Sequence, residues 1–291
     1  MSVNRGLLFG IVAAFLWGTH SVLVQYLTGS LGGLQIAVLR LYIAAVTLFL
    51  MLRVLGHPIA IDWRDRNFWF ATGATAVNFV FFHLGLERTD AGSAMVLENT
   101  APFFVLLFLY LFAGVPVSFR EIAATALAIG GVALTVLPDL DASDSRFTGD
   151  MLEIGAGISW AVFLIAASRA MQASRSTGER LNFLFGIFVV TAILLTPLTV
   201  TNFEIPPAKD ILPLLFLGVF ASALAYYFWF EAAARLSTLT ATLLFALSVV
   251  FTFVNAAIFL GDRITLLEVA GATLIVLGIF LTKSAEERKG V

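Results

Sequence analysis

Residues 88–134 read RTDAGSAMVLENTAPFFVLLFLYLFAGVPVSFREIAATALAIGGVAL, and residues 235–281 read RLSTLTATLLFALSVVFTFVNAAIFLGDRITLLEVAGATLIVLGIFL. Laid in one register, 147 positions apart and without a gap, they match Arg88 with Arg235, Ala94 with Ala241, Gly114 with Gly261, Ser118 with Thr265, Glu121 with Glu268 and Gly131 with Gly278. Alanine and leucine coincidences carry little weight in so apolar a chain. A matched Arg, a matched Glu and two matched Gly in one register carry more. Each copy holds an odd number of membrane crossings, so the second is expected upside down relative to the first, as in inverted-topology repeats.

Composition supports a membrane reading. The chain of 291 residues is 60% hydrophobic and 12% charged, with a mean hydropathy of +0.97. A soluble domain is about half apolar and about a quarter charged, so an all-α integral membrane protein is expected. The net charge is −2 and no basic run is present, which excludes a grip on nucleic acid. There is no cysteine, so disulfides, thiolate metal sites and cysteine nucleophiles are excluded. No cofactor or metal site is expected. Met1 to Arg5 followed by an apolar stretch resembles a signal peptide, but the stretch is too long and lacks a small-residue cleavage site, so an uncleaved first helix is expected.

A membrane helix needs about 20 apolar residues. That ruler gives ten transmembrane helices, at 6–27, 33–55, 67–86, 92–113, 119–137, 149–171, 180–200, 210–233, 239–260 and 265–283. Turn residues fill the breaks, among them Gly32-Gly33, Gly56-His57-Pro58, Pro206-Pro207 and Gly261-Asp262. In a register of 143, Gly6 meets Gly149, Ala13 meets Ala156 and Trp17 meets Trp160. The chain therefore divides into a first five-helix repeat, 1–138, an acidic linker, 139–148, and a second, inverted five-helix repeat, 149–291. With the N-terminus inside, 12 of the 17 Lys and Arg fall on the inner side and 5 on the outer. The positive-inside rule then puts both termini in the cytoplasm of a cell, inner or plasma, membrane. Arg40 and Arg88 are counted on the outer side and Arg235 on the inner.

At these residues the chain resembles the drug/metabolite transporter superfamily, in its ten-helix EamA-type branch. The resemblance rests on AAFLWGTHSVL at 13–23 and on 88–137, with their echoes GAGISWAVFLIAASRA at 155–170 and 236–281. It covers essentially the whole chain. It implies an inverted-repeat carrier with a central cavity between the halves, exporting metabolites; relatives include exporters of aromatic and other neutral amino acids. The polar LENTAP at 97–102 departs from the blander Ser/Leu stretch many relatives carry there.

In such a carrier, substrate is expected near the bilayer midplane, between the repeats. Polar groups at that depth face a cavity or a partner. Trp17 and Trp160 lie about 16 Å into their helices, deeper than an interfacial belt, and are the first candidates. His20 and Ser21 share the helical face of Trp17 by spacing; for His20 a structural hydrogen bond and a substrate contact both stand. Helix 3 adds Asn78, Phe79 and Phe82 on one face, with His83 beside them. Helix 4 offers Glu98 and Asn99 ahead of Pro102, which frees a carbonyl near Glu98 and permits a kink. Glu98 binds a substrate amine, carries a coupling proton, or pairs with Arg40 or Arg88. Tyr226 corresponds to Phe79, and Ser248 heads the polar seam of Ser248, Thr252 and Asn255.

Two further features read as structural. Glu231 and Arg235 are spaced for a surface ion pair. Gly130-Gly131, Gly271 and Gly278 suit a dimer seam or packing within a repeat.

A membrane-embedded enzyme is disfavoured. The three His lie apart, with no HExxH and no mid-membrane Asp. A channel is disfavoured because one near-central Glu per chain makes a weak ring. Without a cavity cluster of Arg or Lys, phosphorylated substrates are disfavoured. Tryptophans and tyrosine suit an amphipathic metabolite or an ammonium, so amino acids fit best, with cationic drugs as the alternative. The expected partners are that small molecule and the lipid bilayer.

Overall fold

A computed structural model describes residues 2–89, 94, 97–136, 147–259 and 265–289, and every regular element among them is helical. The elements are α1 (Ser2–Trp17), α2 (His20–Thr28), α3 (Gly33–Val54), α4 (Arg66–Leu86), α5 (Ala101–Ala113), α6 (Phe119–Val136), α7 (Phe147–Ala173), α8 (Thr177–Leu195), two short 3₁₀ helices (Thr196–Leu198 and Val200–Asn202), α9 (Ala208–Phe216), a π-helical stretch (Leu217–Leu224), α10 (Ala225–Ala233), α11 (Thr238–Phe259) and α12 (Leu266–Lys289). Among the described residues, six helical segments are long and apolar enough to cross a membrane: Asn4–Thr28, Gly33–Val54, Arg66–Leu86, Phe147–Ala173, Thr177–Leu198 and Ala208–Ala233. Ala101–Ala113, Thr238–Thr252 and Val269–Leu281 are shorter apolar runs. Large apolar side chains such as Val54, Phe112, Phe119 and Leu266 point outward, which only a lipid surround makes inexpensive. Most of the acidic linker, residues 139–146, and Gly261 to Arg263 lie outside the described residues.

The most extensive helix pairings each join a helix before residue 137 to one after residue 146: α4 with α7, α1 with α10, α3 with α8 and α6 with α12. The halves interleave. A Cβ on Gly6 would meet Arg235 and Leu236, and a Cβ on Gly149 would meet Arg88 and Thr89. A Cβ on Gly131 would lie 2.6 Å from the Gly271 carbonyl oxygen and 2.8 Å from Ile275, while one on Gly278 would lie 2.6 Å from the Ala124 carbonyl oxygen. The offsets of 143 and 147 carry the first contact of each couple onto the second. These small residues therefore join α6 to α12 across the two halves of one chain, not within a repeat as one reading of the sequence expected.

Three stretches depart from straight α-helix. Between α1 and α2 the ladder lapses at Gly18-Thr19; Thr19 Oγ1 donates back to the Leu16 carbonyl (2.7 Å). The Gly18 carbonyl accepts from Thr252 Oγ1 of α11 at 3.0 Å, and a Cβ on Gly18 would sit 2.6 Å from Phe251 Cβ. The expected first crossing is thus one span, Asn4–Thr28, built of two helices. Ahead of α5, Leu97 and Glu98 are helical, Asn99 and Thr100 form a turn, and α5 begins at Ala101. Pro102 has no N–H to give the carbonyl four residues back, which is the kink expected near Glu98. The π-helical stretch is the third; such segments recur at functional sites.

Candidate functional site

Residues flanking the three irregular stretches help line one small cavity, formed by Trp17, His20, Arg40, Asn78, Phe79, Phe82, His83, Glu98, Trp160, Tyr226 and Phe245. Nine of the eleven residues expected from the sequence are in that lining. Asn99 and Ser248 are buried but outside it, Ser248 with its backbone carbonyl packed against Gly18. Arg40 and Phe245 were not anticipated.

Aromatic rings form the walls. Trp17 meets Tyr226 and Phe245 edge-on, each at 5.3 Å between centroids. Trp160 meets Tyr226 at 5.7 Å and Phe245 at 5.3 Å, and it stacks on Phe163 at 4.7 Å. Trp17 reaches this cluster from the last turn of α1 and His20 from the first turn of α2, so the break lets two neighbours that no longer share a helix face the same space. His20 stacks on Phe82, centroids 4.9 Å apart. The enclosed space is about 20 Å³, room for about one water molecule. The rings pack closely on one another.

The polar groups occupy one side of this cage. Arg40, from α3, is 2% exposed. Its Nε donates to Ser222 Oγ in the π-helical stretch at 3.0 Å, its Nη1 donates to His20 Nε2, and its guanidinium lies 5.0 Å from the Phe79 ring centre. Ser222 Oγ in turn donates to the Leu217 carbonyl (2.8 Å), five residues back, so the π geometry is what presents the hydroxyl to Arg40. The Asn78 amide donates to the Ala156 carbonyl at 3.1 Å and reaches Glu98 Oε1 at 3.4 Å. His83 Nδ1 is 2.8 Å from the Phe79 carbonyl. That assigns its proton to Nδ1 and leaves Nε2 with no partner among the described residues. Trp160 Nε1 also lacks one, and a buried donor left so costs about 1–3 kcal/mol.

Glu98 forms no ion pair with either arginine proposed for it. Arg40 is held by His20 and Ser222, and Arg88 lies outside the cavity against the Leu84 carbonyl (2.7 Å) and Glu87 (3.5 Å). The cavity thus holds one guanidinium and one carboxylate that do not neutralise each other directly. The lining, expected to carry no cluster of Arg or Lys, holds the single arginine Arg40, which was not expected there. A seventeen-way charge count treated it as an outer-surface cation, whereas its place within an otherwise apolar helix marks it as an interior group. Phe245 was legible as the position that the 147 offset matches to Glu98. Glu231 is also corrected: it is buried, bridging Arg180 at 2.6 Å and Arg235 at 2.7 Å, not a surface pair.

A larger groove of about 340 Å³ runs past Asp62, Asp65, Phe68 and Glu179. Its carboxylates accept from the backbone N–H groups of Arg64, Asn67 and Arg175, so they are engaged in turns and helix starts.

The model of the EamA-like transporter family matches residues 4–137 and again residues 147–284. The chain belongs to the EamA-like transporter family. This transporter is 27% identical to a probable amino-acid metabolite efflux pump of Escherichia coli K12, over 97% of this chain and 95% of that protein. It is 25% identical to a probable terminal-alkyne amino-acid exporter of Streptantibioticus cattleyicolor, over 97% and 94%. It is 26% identical to the threonine/homoserine exporter RhtA of Salmonella typhimurium SL1344, over 84% and 80%. A crystal structure with 17% sequence identity superposes with a TM-score of 0.80 across 99% of both chains, so the fold is shared. The chain is a multi-pass membrane transporter, not an enzyme.

Proposed function

We propose that this transporter exports neutral and aromatic amino acids by alternating access, through a cavity formed where two inverted five-helix repeats meet. The observation that carries the substrate reading is the pairing of Arg40 and Glu98 on one aromatic-walled cavity. A free amino acid brings one carboxylate, one ammonium and one side chain. Glu98 takes the ammonium, the Arg40 side of the cage and the Trp160 N–H take the carboxylate, and Trp17, Trp160, Tyr226 and Phe245 take the side chain. The names of the amino-acid-exporting relatives support the same class.

The repeat reading is supported by the double family match and by the glycine contacts that the two offsets interconvert. In this arrangement the chain crosses the cell membrane ten times, with repeats 1–138 and 149–291 and both termini cytoplasmic. Because an amino acid far exceeds about 20 Å³, binding requires the rings to part. The lapses at Gly18-Thr19 and Asn99-Thr100 and the π-helical stretch are the joints about which the walls move. A cationic drug would use Glu98 and the rings but leave Arg40 facing a like charge.

Counterflow in proteoliposomes tests the choice. Vesicles preloaded with phenylalanine, threonine or homoserine are expected to take up the labelled amino acid. Uptake of cationic drugs with no amino-acid exchange would overturn the reading.

A further inference from the structure

Outside the cavity, on the face of α7 that packs along α4, lies a carboxyl group that the binding scheme above does not use. Glu153 is 0% exposed, and neither carboxyl oxygen has a hydrogen-bond partner among the described residues. It lies against Gly85 so closely that a Cβ there would come within 2.3 Å of Oε1. It stands one helical turn from Ala156, whose carbonyl holds the Asn78 amide that also reaches Glu98.

The groups around it are engaged elsewhere or are acidic. Asp150, on the same helix, accepts from Thr89 Oγ1 at 2.6 Å, and Glu98 lies ahead of α5; both are near enough to act on Glu153 as like charges. On α4, His83 is bonded to the Phe79 carbonyl; just past its end, Arg88 is on the Leu84 carbonyl and Glu87. Glu87 accepts from the Gly33 N–H at 2.7 Å. Tyr226 is the titratable group of α10 nearest the cavity, Glu231 is held by Arg180 and Arg235, Tyr110 lies in α5, and α11 has no ionisable residue. No cation reaches Glu153 among the described residues.

We propose that Glu153 is the proton-binding site that couples this transporter to a proton gradient, the two carboxyls dividing the work between substrate amine (Glu98) and proton (Glu153). Burying a lone carboxylate without donors is costly enough that such a group takes a proton instead. Buried there, Glu153 is therefore the neutral acid, and neutrality is what lets α4 close on α7. Opening the outer end of that seam exposes the group to the outer solution. There the step is a simple proton transfer, carboxylate plus proton giving carboxylic acid, and closure follows. Release occurs on the inner side, through the cavity lined by Asn78, whose amide is held by the Ala156 carbonyl one turn away. Export of one amino acid is thus driven by protons entering. The proposal rests on the carrier reading above.

Two measurements on the full-length transporter test it. The first is infrared difference spectroscopy of purified wild type against Glu153→Gln at neutral pH, with matched thermal unfolding as the control for folding. The wild type is expected to show a protonated-carboxyl C=O band that Glu153→Gln lacks. The second is amino-acid export from proteoliposomes with and without an inward proton gradient. The ratio of the two rates is expected to be severalfold for wild type and to fall to one for Glu153→Gln, while exchange, which moves no net proton, continues at a measurable rate. Equal bands, an unresponsive wild type, or a stimulation ratio that survives the substitution would each overturn the proposal. If no amino acid exchanges at all, the substrate reading fails, and the infrared comparison still decides the proton site.

Discussion

The indole rings of Trp17 and Trp160 meet edge to face, centroids 5.8 Å apart with planes at 82°, at positions related by the offset of 143. One ring comes from the end of α1 and the other from the middle of α7. The two rings thus touch each other, and the cavity narrows where one half of the chain faces the other.

Replacing Trp160 separates its ring from its N–H. Trp160→Phe keeps most of the ring packing and removes the donor that has no partner among the described residues. Such a hydrogen bond to a charged group is worth about 1.5–3 kcal/mol, so the apparent KM in counterflow is expected to rise about tenfold or more with an unchanged melting temperature. Trp160→Ala also removes aromatic contacts, each worth about 0.5–1.5 kcal/mol, and is expected to reduce transport further in protein that still purifies. Undiminished flux would remove Trp160 from the site.

Glu98→Gln keeps the shape of the side chain and the reach of Asn78 while deleting the charge. If Glu98 holds the ammonium, KM for amino acids rises about tenfold to a hundredfold, following the ~1.5–3 kcal/mol of a charge-assisted bond, with folding intact. Transport kinetics equal to wild type would make Glu98 a packing residue.

Arg40 is the group whose place was least legible in the sequence. Its planar guanidinium serves Ser222, His20 and the Phe79 face together, which an ammonium does not reproduce. Arg40→Lys is therefore expected to lose transport more than tenfold, about as far as Arg40→Met does. Full activity in Arg40→Lys would show that only a positive charge is needed.

What the sequence revealed, and what it withheld, follows from which signals are local. The apolar lengths placed the bounds of Gly33–Val54, Arg66–Leu86 and Ala208–Ala233 within a few residues, because the bilayer imposes a length on a crossing. The register of Trp17 with Trp160 and of Phe79 with Tyr226 found two pairs of cavity walls before any coordinates. The break at Gly18-Thr19 was not legible, since it depends on Phe251 pressing on Gly18 and on Thr252 reaching its carbonyl, both about 230 residues away. Nor was the π-helical stretch, whose hydroxyl is set by Arg40 from another helix. Arg40 was missed because a count of Lys and Arg by sidedness hides a cation that turns inward; Glu153, a carboxyl, did not enter that count.

The glycines of α6 offer a paired test of packing. A methyl on Gly131 would meet the Gly271 backbone oxygen at 2.6 Å, whereas nothing lies within 4 Å of one on Gly130. Gly131→Ala is expected to destabilise by about 1–3 kcal/mol through overpacking and to lower the melting temperature in detergent. Gly130→Ala, one residue away, is expected to melt as wild type does. Equal melting of the two variants would contradict the α6–α12 contact.

The central claim is that one cavity reads both charges of an amino acid. It is tested most directly by counterflow with three forms of one substrate: phenylalanine, its decarboxylated amine, and its N-acetyl derivative. The account predicts exchange of phenylalanine alone, because the amine lacks the group for Arg40 and Trp160, and the acetylated acid lacks the ammonium for Glu98. Exchange of the amine as fast as phenylalanine would contradict it.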